Sequence, residues 1–335
     1  MGKNKYLFVL WMLLAITLAG GIFTGIYVKS GNQDGDDGKI QVVTSFYPVY
    51  IAAKNIVEGS KGVALENLSE PQTGCMHDYQ LTPQDMIMLS KADLFLVNGG
   101  GIESFLSDVG KSYPELSIRA AAEGLSLLEE SGQGSGGHSH GEERPSGDAV
   151  VTEGDFYGIN AHGWMDTGIY IGMVKNIADF ISEADKGNQE LYQENAKAYC
   201  EKIERLSAQI EELEKELKGD ITNGRFTGKN IVIFHEAFAY VAEQYGLTAV
   251  YCLDLDEERQ VSAGEVADLL EELTENHVSV VLAEELYGKD MGETVEQETG
   301  CNVYYLDTLV RGDYGADSYL KAMQKNIDIM REALQ

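Results

Sequence analysis

Basic residues are scarce in this sequence, and the shortage excludes one large class of partners. The chain of 335 residues has 25 lysines and arginines against 55 aspartates and glutamates, a formal net charge of −30. Because a surface this acidic repels phosphate backbones, we exclude nucleic acid as a partner. The same charge favours solubility and attracts cations, but it does not indicate a fold.

Cysteines are few, and none is placed for a zinc knuckle. Cys75, Cys200, Cys252 and Cys301 form no CxxC pair. Outside the cytoplasm, cysteines can pair as disulfides. We expect Cys252 and Cys301 to pair, because one lies late in a predicted strand and the other just before another strand. A pair of Cys75 with Cys200 is an open alternative.

Motifs of the common hydrolases and nucleotide-binding proteins are also missing. His235 and Glu236 begin an HExxH pattern, but Ala239 stands where the second histidine would be needed. The sequence has no Walker lysine motif either. We therefore predict that the protein is not an enzyme.

An uncharged run near the N-terminus predicts that the protein is anchored in the membrane. Residues 6–28 follow Lys3 and Lys5, and these 23 residues contain no charge. About 20 apolar residues suffice to span a bilayer as a helix. Because two lysines precede the run, we expect residues 1–30 to be a membrane anchor that leaves the rest of the chain outside the cytoplasm. A cleaved signal peptide, which would make the protein secreted, is the alternative.

Beyond residue 40, apolar β-branched runs alternate with helical patterns, which predicts parallel sheets built from βαβ units. Thr82 is a good helix N-cap, and Pro83 stands at the first helical position. The predicted strands cover residues 40–46, 63–68, 93–97, 116–119, 231–234, 249–253, 278–283 and 302–306. Further helices are predicted at residues 237–245, 263–275 and 319–334.

A long helix divides the predicted fold in two. In residues 188–219, apolar residues recur roughly at helical spacing among glutamates and lysines. A coiled coil is the alternative for this segment. We predict an α/β protein of two lobes, each a parallel-rich sheet flanked by helices, joined by this long rigid linker helix. A tether at 31–39 precedes an N-terminal lobe at 40–187, which includes a mobile loop at 129–148, and a C-terminal lobe at 220–335 follows the linker.

Histidines near the ends of predicted strands form the candidate site. Apart from two in the mobile loop, the histidines are His77, His162, His235 and His277. Ligands of open α/β sheets bind at the carboxyl ends of strands. Three of these histidines lie at predicted strand ends or in loops, and Asp307 ends a strand in an equivalent place. Three imidazoles and one carboxylate suit a tetrahedral zinc ion, whereas His277, at an exposed helix end, is expected to be ordinary surface.

Six segments, taken in their order along the chain, resemble a known family. They are residues 44–48 (TSFYP), 77–85 (HDYQLTPQD), 92–99 (ADLFLVNG), 160–166 (NAHGWMD), 234–238 (FHEAF) and 315–319 (GADSY). Together they look like the cluster A-I metal-binding proteins of ABC importers, which take up zinc or manganese. The resemblance extends from about residue 40 to residue 333, and it implies that His77, His162, His235 and Asp307 are the metal ligands.

The resemblance also implies a function and an ion. The protein would bind zinc outside the cytoplasm and deliver it to the permease of an ABC importer. Manganese members usually have glutamate at the third position, where this chain has His235, and a manganese-binding homologue is the alternative. The loop with His138 and His140 resembles a short form of the histidine-rich loop of zinc members, or it is a solvated linker.

Departures from the family pattern and other functional classes stay open. Ala161 replaces the usual proline, and no lipoprotein cysteine lies near the end of the N-terminal apolar run. A metal-binding adhesin or sensor on the same scaffold is one alternative function. A metallohydrolase, with three protein ligands and a water on the metal, is the less favoured one.

Overall fold

Short strands rich in β-branched and aromatic residues form two parallel sheets of four strands each in the described part of the chain. The computed structural model describes residues 38–69, 76–130, 158–222, 229–255 and 261–334. The first sheet contains β1 (Ile40–Thr44), β2 (Val63–Asn67), β3 (Leu94–Val97) and β4 (Ser117–Ala120), in the order β2-β1-β3-β4. The second contains β5 (Asn230–Ile233), β6 (Thr248–Cys252), β7 (Val280–Glu284) and β8 (Asn302–Leu306), in the order β6-β5-β7-β8.

Helices connect the strands, as parallel pairing requires. The first part of the chain contains α1 (Tyr47–Ile56), α2 (Pro83–Leu89), α3 (Leu106–Ser112) and α4 (Thr167–Ala184). The long helix α5 (Gln189–Thr222) is followed by α6 (Phe238–Gln244), α7 (Ala263–Glu275), α8 (Lys289–Thr299) and α9 (Ser318–Ala333). Thr82 caps α2 as predicted, in a capping box with Asp85. Two helix-flanked parallel sheets and the long helix confirm the predicted fold class.

The long helix α5 is a single element of 34 residues, about 51 Å in length. Its buried side chains recur at intervals of three and four residues between Tyr192 and Leu217. They pack against α4 and α9, and Gln209 donates a hydrogen bond to Gln324 of α9 at 2.9 Å. Because helices of the same chain cover the apolar face of α5, a linker helix explains its pattern better than a coiled coil.

A continuous core connects the two sheets. Buried side chains of both sheets and of α1, α4, α5 and α9 belong to one packed cluster, and a second cluster lies in the C-terminal sheet. Buried hydrogen bonds cross from the first part of the chain to the last. The Tyr47 hydroxyl donates to Ser318 Oγ at 2.6 Å, and Trp164 Nε1 donates to the Thr308 carbonyl at 2.9 Å. The lobe boundaries at residues 187 and 220 stay a prediction.

The predicted disulfide between Cys252 and Cys301 is wrong. Cys252 ends β6 and Cys301 precedes β8, so the two lie at opposite edges of the sheet, with β5 and β7 between them. Three strand spacings amount to about 14 Å, whereas the Cα atoms of a disulfide lie within about 7 Å. Both residues are free thiols, as is the buried Cys200 of α5. Cys75 lies outside the described residues.

Several predictions concern parts of the chain that are not described. The membrane anchor at residues 1–30, most of the tether at 31–39, and His138 and His140 of the loop lie outside the described residues. Within the described ranges, no helix combines the length and the apolar character needed to cross a membrane.

Candidate metal-binding site

The three predicted histidine ligands form one cluster. The ring centroids of His77 and His162 are 5.4 Å apart, and those of His162 and His235 are 5.0 Å apart. His162 and His235 are buried, with 4% and 6% of their surface exposed, whereas His77 is exposed. The fold thus brings together imidazoles from three distant parts of the sequence, with His162 at the centre.

Asn160 sets the tautomer of His162. The Asn160 Oδ1 lies 2.9 Å from Nδ1 of His162 and also accepts the His162 backbone amide at 3.1 Å. A carbonyl oxygen can only accept, so Nδ1 carries the proton and Nε2 has the lone pair. The orientation of Asn160 is fixed in turn, because its Nδ2 donates to the Glu236 carbonyl at 2.8 Å. Such a partner on the second ring nitrogen is the usual support of a metal-binding histidine.

The pKa of His162 lies well below the usual 6.5. Burial is the main cause, and the neighbouring His235 and His77 lower it further. His162 is therefore neutral at neutral pH, which is the protonation state that a metal ligand requires.

His235 lies just after the end of β5, at a point where the chain is still paired with β7. β5 ends at Ile233, and the amide of Phe234 still donates to the Leu282 carbonyl at 2.9 Å. The amide of Ala237 donates to Nδ1 of His235 at 3.0 Å. Because Nδ1 accepts, the proton of the neutral ring is on Nε2. Metal binding by His235 therefore breaks the bond from the Ala237 amide, whether the metal takes Nδ1 itself or the proton moves from Nε2 to Nδ1 so that Nε2 can bind.

His77 lies in the 3₁₀ turn Met76–Asp78, on the way into α2. The backbone of this turn is held from two sides. Ser104 Oγ donates to the His77 carbonyl at 3.3 Å, and the Tyr79 hydroxyl donates to Asp85 of the α2 capping box at 3.0 Å. The backbone of the exposed histidine is therefore anchored while its ring faces the cluster.

Asp307 follows β8 directly, as predicted, and α9 holds its backbone. Asn326 accepts the Asp307 amide at 2.9 Å and donates to the Asp307 carbonyl at 2.7 Å. The amide of Leu309 donates to the Asp307 carboxylate at 2.7 Å. Burial raises the pKa of Asp307, while the Leu309 amide and the Arg311 charge lower it.

Asp307 is connected to the histidine cluster through the next residue, Thr308. The Thr308 carbonyl accepts the bond from Trp164, whose ring centroid lies 5.1 Å from that of His162. As the side chains stand, no three His, Cys, Asp or Glu residues in the described ranges have the geometry to hold a metal ion. The structure thus brings the three histidines together. Asp307 precedes Thr308, whose carbonyl is bonded to Trp164 beside the central histidine.

Carboxylates outside the predicted ligand set are electrostatically coupled to one another beside His77. Burial raises the pKa of Glu130, and the charges of Glu236 and Asp254 raise it further, whereas His77 lowers it. These groups come from three separate segments, and each is electrostatically coupled to Glu130. No local sequence pattern connects them. They give the approach to the histidines a negative potential that attracts cations.

Residues 128–130 and 158–160, on either side of the segment 131–157, are joined to each other next to the cluster. Glu129 and Ile159 form an antiparallel bridge, and the amide of Asn160 donates to the Leu128 carbonyl at 2.8 Å. The Tyr240 hydroxyl accepts the Leu128 amide at 3.0 Å and donates to the Asn160 carbonyl at 2.6 Å. The start of the predicted loop, Glu129, is therefore bonded next to Asn160, the residue that orients His162.

Two linked parallel sheets with clustered imidazoles define a class, the metal-binding solute-binding proteins. Residues 42–333 match the family model described as ZnuA, zinc-uptake complex component A, periplasmic. The chain therefore belongs to this family. Its members are metal-binding proteins of ABC uptake systems and not enzymes, which confirms the prediction that the chain is not an enzyme.

Known relatives cover almost the whole chain. The high-affinity zinc uptake system protein ZnuA of Bacillus subtilis (strain 168) is 29% identical over 311 residues, 91% of this chain and 90% of that protein. The iron-binding protein YfeA of Yersinia pestis is 26% identical over 320 residues, 94% and 93% of the two chains. The manganese ABC transporter substrate-binding lipoprotein PsaA of Streptococcus mitis is 27% identical over 345 residues, 100% and 99%. The relatives therefore include proteins named for three different metals.

A solved structure shares the fold. The metal-dependent lipoprotein YcdH from Bacillus subtilis aligns with a TM-score of 0.68 and 26% identity, over 89% of this chain and 100% of that chain. The two proteins therefore share their fold over almost nine-tenths of this chain.

Proposed function

We propose that the chain is the extracytoplasmic zinc-binding protein of an ABC importer, with His77, His162, His235 and Asp307 as the metal ligands. The observation on which this rests is the placement of the His77 and His235 imidazoles on either side of that of His162. The central ring is neutral, buried and supported by a hydrogen bond on Nδ1. These are the properties of a histidine prepared to bind metal through Nε2.

The spacing of the rings supports one shared ion. Two imidazoles that bind one tetrahedral zinc ion at about 2.0–2.1 Å have ring centroids about 5.2 Å apart. The observed centroid distances of 5.4 Å and 5.0 Å lie on either side of this value. Because the ligating atoms do not yet converge, we infer that the rings of His77 and His235 rotate on binding. Asp307 then supplies the fourth ligand.

The donor types favour zinc over manganese. Imidazole suits zinc, whereas manganese prefers a larger share of oxygen donors. A set of three histidines and one aspartate therefore supports zinc, and so does the similarity to ZnuA of Bacillus subtilis. The manganese-binding relative makes manganese the alternative ion.

Membership of the family supports delivery of the metal to a permease. A binding protein of an ABC importer works outside the cytoplasm, beside its permease. We propose that residues 1–30 tether the protein to the membrane there, or are removed so that it is secreted. Cell adhesion is the alternative function, and no feature of the described site supports it.

Zinc titration of the exported protein tests the proposal. Native mass spectrometry with metal analysis should find one zinc ion per chain, and manganese should compete poorly for it. His162→Ala and His235→Ala should abolish tight binding, whereas Asp307→Ala should be milder, because water can replace one oxygen donor. His277→Ala is the matched control, because His277 is exposed at the end of α7. A wild type without a tight site, or undiminished affinity in His162→Ala, would refute the proposal.

A further inference from the structure

Glu103 is a buried carboxylate outside the proposed ligand set. It lies between β3 and α3 and is 3% exposed. Its Oε1 accepts hydrogen bonds from the Ser45 hydroxyl at 2.8 Å and from the Asn98 amide at 2.6 Å, while Oε2 accepts from the Gly99 amide at 3.1 Å. Ser45 follows β1 and Asn98 follows β3. One carboxylate therefore joins the carboxyl ends of two neighbouring strands.

The loop that Glu103 holds packs its backbone directly on the candidate site. Residues 99–101 are glycines with φ angles of 86°, 71° and 89°, a region that favours glycine. A Cβ on Gly100 would lie 3.2 Å from the Cα of Ala161. The loop can approach this closely because it has no side chains there, and Ala161 is the residue before His162.

Two hydrogen bonds connect this loop to both candidate ligands of the N-terminal half. Asn98 Nδ2 donates to the Ala161 carbonyl at 2.9 Å. Ser104, the residue after Glu103, donates to the His77 carbonyl at 3.3 Å. The carboxylate thus fixes one short segment that contacts the backbone at both histidines.

Keeping a carboxylate at this place costs stability. Burial raises the pKa of Glu103 to about 7, although its hydrogen bonds with Asn98, Ser45 and Gly99 act in the opposite direction. Those partners are neutral, and a buried charge whose partners are neutral is expensive. Groups kept in such an environment are characteristic of functional sites.

We propose that Glu103 is a positioning residue of the metal site, which holds the segment 98–104 so that His77 and His162 keep their ligand geometry. The proposal rests on the proposed function, because it assumes that these two histidines bind the metal. Glu103 itself does not touch the ion. Removing an outer partner of metal ligands typically lowers affinity about 10–100-fold, and we expect a loss of this size.

Two variants break different bonds of this connection. In Glu103→Gln the side-chain amide faces a backbone N–H in either orientation, because both carboxylate oxygens accept from the backbone. In Asn98→Leu, which introduces a side chain of similar size, the bonds to the Ala161 and Gly99 carbonyls are both lost. Asn98 Oδ1 is buried without a hydrogen-bond partner in the described structure, so its loss adds little.

Asn55→Leu is the matched control for the second variant. Asn55 is also buried, and its Nδ2 also donates to two carbonyls, those of Ile51 and Ala316. The change therefore removes the same chemistry from the same fold without touching the segment that contacts the ligands. It should lower the melting temperature while leaving zinc affinity unchanged.

The experiment measures zinc Kd by chelator competition, the stoichiometry, and the melting temperature of the metal-free exported protein. Glu103→Gln and Asn98→Leu should bind one zinc ion with Kd raised about 10–100-fold. The ¹⁵N shifts of the His77 and His162 side chains should also move in the metal-free variants. If Glu103→Gln does not fold, Asn98→Leu decides.

Two outcomes would separate the proposals. If the variants lose thermal stability but bind zinc as tightly as the wild type, while His162→Ala abolishes binding, the positioning role is refuted and the ligand set stands. If His162→Ala also binds normally, the proposed function itself fails. A loss of affinity in Asn55→Leu equal to that in Asn98→Leu would likewise overturn the positioning role, because it would show a general effect of stability.

Discussion

Replacing Asn160 tests whether the tautomer of His162 controls metal binding. Asn160→Leu removes the oxygen that accepts the His162 Nδ1–H at 2.9 Å and its backbone amide at 3.1 Å. Asn160→Asp keeps an oxygen in the same place but replaces the amide, which donates to the Glu236 carbonyl and carboxylate, by a second oxygen. The two variants have similar size, so they separate the acceptor from the packing.

The size of the effect follows from the burial of His162. In Asn160→Leu the buried ring keeps a proton on Nδ1 without a partner, which costs about 1–3 kcal/mol. Alternatively the proton moves to Nε2, and the nitrogen that would bind zinc is blocked. Either way the affinity should fall about 10–100-fold, which corresponds to about 1.4–2.7 kcal/mol. A carboxylate on Nδ1 supports the ligand, so Asn160→Asp should lose less.

Competition titrations with a zinc chelator at pH 7.5 would measure both dissociation constants, with the wild type and His277→Ala as references. Side-chain ¹⁵N spectra of the metal-free proteins would report the His162 tautomer directly. Equal affinities of Asn160→Leu and the wild type would refute the reasoning. So would equal losses in the leucine and aspartate variants, because packing alone would then explain the change.

Further predictions concern stability, the loop and the thiols. The pKa of His162 is lowered in the folded protein, so its contribution to stability is present above pH 6.5 and is lost as the pH falls below it. The free energy of unfolding of the metal-free protein, measured with urea, should therefore fall as the pH is lowered below 6.5. His162→Gln should reduce this pH dependence by at most about 1.4 kcal/mol per pH unit. Deleting residues 132–147 should leave one tight zinc site and remove any weaker phase of a zinc titration; loss of the tight phase would make the loop part of the ligand set. Cys252 and Cys301 should both react with a thiol reagent after denaturation without reductant, and protection of both would contradict the observed strand order.

Local patterns predicted much of the fold because they depend on residues close in sequence. The predicted strand at residues 302–306 and the predicted helix at 263–275 coincide with β8 and α7. The helix α4 was not predicted although its signal is present, since Tyr170, Val174, Ile177 and Ile181 recur at helical spacing and are buried. In α8 the signal is weak, because it buries little besides Val295.

Local sequence patterns could not predict the features that depend on strand order. The wrong disulfide was predicted only because Cys252 lies late in one strand and Cys301 just before another, whereas β6 and β8 lie at opposite edges of their sheet. The histidines could be singled out by residue type and by the family resemblance. The coupling of Glu130 with Asp254, and the bond from Asn98 to Ala161, arise only when separate loops meet.

The shared core bears on how such a site can bind and release metal. Besides the bonds from Tyr47 to Ser318 and from Trp164 to Thr308, the Tyr319 hydroxyl donates to the Trp164 carbonyl at 2.8 Å in a buried contact. A hinge motion that separated the two sheets would break several such bonds and leave buried polar groups unpaired, at about 1–3 kcal/mol each.

The buried part of the candidate site is therefore held by the same packing that holds the fold. Trp164 lies two residues from His162 and contacts its ring, so moving the sheets apart would also displace the central imidazole. His77 differs, because it is exposed and lies on a turn of three residues. Rearrangement at that turn leaves the core intact, whereas rearrangement at His162 does not. At the proposed site, metal exchange through the exposed turn would thus break far fewer buried contacts than exchange by moving the two sheets apart.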